Sequence, residues 1–159
     1  MTQSRVSWVA VALSFAAAAV LELLAMPQML LAFRPEWMVL TLIYWLLRHP
    51  ERIGLFSAFI VGAIMDVLSG TYLGIHIIAC CIVSYLVLTM HQRLKMFPVL
   101  QQSLVIFFII GILLMIVMTI RGALGAVDNN MSYLGAALSS ALVWPFVLIF
   151  TDRLVFALR

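Results

Sequence analysis

The chain has 159 residues, 66% of them hydrophobic and only 9% charged, with a formal net charge of +3. Ordinary soluble domains carry ~25% charged residues, and a chain this short keeps too much of its area exposed to hide so much apolar surface from water. A soluble domain is therefore excluded, and an all-α integral membrane protein is expected, each spanning helix needing roughly 20 mostly apolar residues.

The length allows a single polytopic domain, residues 1–159, of about six spans: about 6–26, 36–48, 53–69, 72–90, 97–120 and 133–151. The N-terminus has a short basic head before an apolar stretch, as a signal peptide does. Its apolar run continues past a normal h-region, so it is read as an uncleaved first helix ending at Pro27. A link over 28–33 leads to Arg34-Pro35-Glu36, and the second span ends at Arg48-His49-Pro50-Glu51-Arg52. Ser69-Gly70-Thr71 breaks the chain between spans three and four, with Gly70 and Gly74 in the turn. The turn-forming run Asp128-Asn129-Asn130 separates spans five and six.

Basic residues on alternate sides number seven against two. By the positive-inside rule the seven are cytoplasmic, which places both termini in the cytoplasm. They stand in pairs between apolar runs, without a basic stripe and interleaved aromatics, so nucleic acid is not an expected partner. Trp37, Tyr44, Trp45 and Tyr133 lie near the expected interfaces and read as an aromatic belt. Cys80 and Cys81 are adjacent in an apolar run and read as packing thiols. The ten methionines read as gap-filling.

Two carboxylates fall inside spans, Glu22 in the first and Asp66 in the third. Ionisable groups at such depth are costly and need a partner or a function. Counted from the cytoplasmic side, Glu22 lies ~24 Å and Asp66 ~20 Å into the membrane. A helix from Glu36 to Arg48 is only ~20 Å long, so either the bilayer thins there or Arg34-Pro35-Glu36 lies below the outer surface. The second arrangement would put Arg34 level with Glu22 and Asp66 as one compensated cluster. The alternative is that each carboxylate reaches the outer headgroups separately.

Asp66 also continues a row of small residues, Gly54, Ala58 and Gly62, then Gly70 and Gly74, which suits a close helix–helix contact. His76 stands near it, either sharing a proton with Asp66 as in a relay or, the commoner arrangement, as an interhelical hydrogen-bonding residue. Pro145, after Trp144, should kink the last span. No phosphate-binding glycine loop, metal-spaced His/Glu pair or nucleophile turn is present. Ser139 and Ser140 have no histidine near them in sequence, which leaves an intramembrane hydrolase a distant reading.

Taken together, Phe33-Arg34-Pro35-Glu36-Trp37, the third-span run from Gly62 through Asp66, Ser69 and Gly70 to Gly74, and the final Trp144-Pro145 resemble the MreD family of rod shape-determining proteins over essentially the whole chain. The resemblance implies a non-catalytic component of the bacterial inner membrane, without cofactor, in the machinery that builds the lateral wall. It implies binding to the bitopic protein MreC and work alongside the actin-like MreB, the glycosyltransferase RodA and a penicillin-binding transpeptidase. It also implies a fold like the substrate-binding subunit of energy-coupling-factor transporters. That leaves a second reading, a transporter subunit binding a small molecule or lipid.

Overall fold

The computed structural model describes residues 8–24, 33–70, 72–125 and 132–157. Six helices follow one another: α1 (Trp8–Leu23), α2 (Trp37–Arg48), α3 (Leu55–Ser69), α4 (Ile75–Met96), α5 (Val99–Ala123) and α6 (Ser132–Ala157). The described residues contain no strand. The expected end of the first span at Pro27, most of the link that follows it, Thr71 and the run Asp128-Asn129-Asn130 lie outside the described residues.

Three helices, Ile75–Met96, Val99–Ala123 and Tyr133–Ala157, are long and apolar enough to cross a membrane. The other three are apolar but shorter, at 16, 12 and 15 residues. Large side chains such as Phe56, Val67, Phe108, Met115, Leu142 and Phe146 point outward. Such a coat would be a liability in water and is what lipid covers.

The shortest helix is the core. Ten of the twelve residues of α2, Met38 to Leu47, are buried. Helices α1, α3, α4 and α6 pack directly on it, and α5 closes the wall between α4 and α6. A helix wrapped by neighbours need not itself meet both bilayer surfaces, so the short length of α2 is compatible with a place inside a membrane bundle. The same burial corrects the aromatic belt: Tyr44 and Trp45 lie in the interior, edge to face with centroids 5.4 Å apart, while Trp37 and Tyr133 are half-buried. Trp45 Nε1 donates to Ser14 Oγ on α1 at 2.9 Å, which satisfies a donor that burial would otherwise strand.

Two helices run beyond their expected ends. Helix α4 continues through His91 to Lys95, where basic residues in the last turn suit the negative end of the helix. It stops at Phe97 because the residue before a proline is driven out of the helical region. Gln102 Nε2 then caps it, donating to the carbonyls of Leu94 and Phe97 at 2.9 and 3.2 Å. Helix α6 extends to Ala157 and passes through Pro145, which leaves the Ala141 carbonyl without its intrahelical donor. Beside it Trp144 is fully buried, its indole N–H reaching Gln102 Oε1 at 3.3 Å.

Candidate functional site

Helices α3 and α4 meet at a tight corner built around Asp66. Gly70 ends α3 with φ 60°, and Gly74 precedes α4 with φ 113°, both in the left-handed region where a side chain is strained. The turn folds the first N–H groups of α4 back toward α3. Asp66 Oδ2 accepts from Gly74 N–H at 2.7 Å, and Oδ1 accepts from His76 N–H at 2.9 Å. Nδ1 of His76 lies 2.8 Å from the same Oδ1. A carboxylate accepts only, so the proton belongs on Nδ1. Orphan N–H groups at a helix start attract an anion, and here the anion comes from the preceding helix because Gly74, in the capping position, has no side chain.

One turn earlier, Gly62 permits the approach. A Cβ there would lie 2.5 Å from Ile77 Cα and 2.8 Å from His76 O, so the two backbones are in contact. The small-residue row therefore does two things on one face: Gly62 sets the spacing and Asp66 caps the neighbour. Ala58, a turn further back, is buried, whereas Gly54, with nothing within 4 Å of the Cβ it lacks, takes no part in the contact. Ser69 is exposed on the far side of the corner.

A second polar group lies at the N-terminal end of α2. Arg34 Nη2 stands 3.7 Å from Glu22 Oε1. The Glu22 carboxylate lies close to the start of α2, where the positive end of the helix suits an anion. Pro35 is buried, and its carbonyl accepts from Trp37 N–H at 3.0 Å. Glu36 N–H donates to Ser140 Oγ on α6 at 3.0 Å. The Glu36 carboxylate feels one acidic group, Glu22, and two basic ones, Arg34 and Arg121. Within this group Glu22 Oε2, Arg34 Nε and the neighbouring Trp37 Nε1 are buried without a hydrogen-bond partner among the described residues.

The expected triad of Glu22, Arg34 and Asp66 is thus corrected. Arg34 pairs with Glu22, whereas Asp66 has both oxygens filled by donors at the start of α4, eight and ten residues along the chain. Arg121 is the member that sequence reasoning missed. It belongs to the last turn of α5, which runs past the expected end at 120. A signal was available, since Arg34 and Arg121 are the two basic residues of the minority side.

The opposite end of α2 carries a third group with no counterpart among the expected residues. Arg48 Nη2 contacts Asp152 Oδ1 and Oδ2 at 2.8 and 2.6 Å, and Tyr44 Oη donates to Oδ1 at 2.6 Å. The pair is half-exposed, 49% and 46%, beside a cavity of about 590 Å³ whose wall includes Lys95 and Gln102. The two ties at the ends of α2, Glu36 to Ser140 and Arg48 to Asp152, join residues 104 apart in sequence. A constant offset means that the two helices run parallel and in step over twelve residues.

Chemically these groups are fastenings. The Ser140 hydroxyl donates to Ala136 O at 2.7 Å and that of Ser139 to the same carbonyl at 3.0 Å. With the His76 ring on Asp66, none of the three forms a nucleophile–base pair. Among the described residues no three His, Cys, Asp or Glu side chains converge as a metal site requires.

Comparison with known proteins identifies a family that matches nearly the whole chain. The family model for rod shape-determining protein MreD matches residues 2–154. The rod shape-determining protein MreD of Haemophilus influenzae is 25% identical over 153 residues, covering 96% of this chain and 94% of the relative. No solved structure matches. An all-helical, membrane-compatible bundle matched over almost its entire length by this model belongs to the MreD family of rod shape-determining proteins.

Proposed function

We propose that the chain is a non-catalytic, multi-pass scaffold of the bacterial inner membrane, with both termini cytoplasmic, that docks MreC within the cell-elongation machinery. In this reading MreC binding couples it to lateral peptidoglycan synthesis by RodA and a penicillin-binding transpeptidase, and to MreB. Family membership supports the cell-shape role. One structural observation supports docking at the N-terminal end of α2: buried polar atoms of Glu22, Arg34 and Trp37 have no hydrogen-bond partner there among the described residues. Membrane helices associate through close packing and hydrogen bonds, since lipid supplies little hydrophobic drive between them. A polar segment at the end of a partner's transmembrane helix would satisfy those atoms.

The test is co-purification of MreC with tagged wild type and with Glu22→Arg, Arg34→Glu and the double swap. Either single reversal places like charges together and should cut MreC recovery about tenfold or more, as expected when a partly buried pair is broken. The double swap should restore a good part of it. MreC recovery unchanged in both single variants would contradict the docking site.

A further inference from the structure

Helices α1 and α6 touch only sparingly, and between them, floored by α2, runs a cavity of about 460 Å³. Its wall includes Leu21 and Trp37 at one end and Arg153 at the other, with Ala17, Thr41 and Phe150 between. Because Ser140 sits beside Glu36 and Asp152 beside Arg48, Arg153 stands one residue past the end of α2, roughly 18 Å from the level of Trp37. That length of largely apolar wall suits an extended acyl chain, and the cation at its end suits an anionic headgroup.

The polar groups of its wall are few. The Thr41 hydroxyl donates to Trp37 O at 2.9 Å. Ser14 Oγ donates to Val11 O at 2.8 Å while accepting from Trp45 Nε1 at 2.9 Å. The Ser14 and Thr41 hydroxyls are thereby satisfied and ask nothing of an occupant, while the third hydroxyl of the wall, Thr151, is buried near the Arg153 end. At the rim Arg153 is exposed and has no carboxylate partner among the described residues. We propose that this groove seats one acyl chain of a glycerophospholipid whose anionic headgroup rests on Arg153. The groove meets the Glu22–Arg34 group at Trp37, but its headgroup end at Arg153 lies at the far end and is tested separately from MreC docking.

Native mass spectrometry of the full chain in mild detergent, after exchange with vesicles of phosphatidylglycerol or of phosphatidylcholine, tests it. Wild type should retain one phosphatidylglycerol per chain in preference to phosphatidylcholine. Arg153→Gln, at an exposed position, should weaken phosphatidylglycerol retention about fivefold, the loss expected for one cation near an anionic headgroup, and leave phosphatidylcholine unchanged. Ala17→Leu, which narrows the groove, should reduce both. Equal retention of the two lipids by wild type and Arg153→Gln would overturn the proposal. So would a photocrosslinker at Phe150 that labels a protein helix instead of lipid.

Discussion

Asp66 and Arg48 both stand in ion pairs, and their surroundings assign them different weights. The side chains of Asp66 and His76 are 0% and 9% exposed, and Asp66 also holds two backbone N–H groups. Asp66→Ala strands three donors away from water, each costing roughly 1–3 kcal/mol, so the bundle should lose several kcal/mol. Asp66→Asn, which keeps one acceptor oxygen, should lose less. Arg48 and Asp152 are half-exposed, and a pair in that setting contributes only about 0.2–1 kcal/mol. Thermal unfolding in detergent should therefore rank Asp66→Ala well below Arg48→Ala, and the reverse order would contradict the assignment of Asp66 as the cap of α4. Gly62 belongs at the same scale. Its missing Cβ would meet backbone and not a side chain that can turn away, so even Gly62→Ala forces α3 and α4 apart. It should cost about 1–3 kcal/mol as overpacking does, read as a lowered melting temperature, while Gly54→Ala, facing open space, should leave it unchanged.

Among the elements, α2 is the one whose place was least legible from sequence. Hydropathy located it to within a residue, because an apolar run between Arg34-Pro35-Glu36 and Arg48-His49-Pro50 has sharp ends. Its centrality was hidden. In a soluble protein the polar face of a helix marks the outside, but in lipid both the buried and the outward faces are apolar, so Tyr44 and Trp45 look the same at an interface as in a core. The Asp66 corner was legible because its parts are near in sequence: a small-residue row, two glycines and a histidine ten residues on. The Arg48–Asp152 and Glu36–Ser140 ties were not, because no local pattern pairs residues 104 apart. These ties predict that α2 and α6 can be stapled without distortion along their parallel run. Cysteines replacing Glu36 and Ser140 should crosslink readily, whereas cysteines at Glu36 and Asp152, twelve residues out of step, should not.

For the whole molecule, the account is of a membrane bundle whose shortest helix is its core, fastened at both ends, with one end keeping polar atoms for a partner. The proposed orientation, with both termini cytoplasmic, rests on the basic residues: a green fluorescent fusion at the C-terminus should glow and an alkaline phosphatase fusion there should be inactive. The opposite pattern would invert the bundle and put the Glu22–Arg34 group on the cytoplasmic side. Site-specific photocrosslinking in growing cells tests the central claim most directly, with the probe at Phe33, exposed beside Arg34, or at Met96, exposed at the end of α4. The account predicts an adduct with MreC at Phe33, mapping to the end of its transmembrane helix, and none at Met96. An MreC adduct at Met96 without one at Phe33 would place the partner at the wrong end of α2 and contradict it.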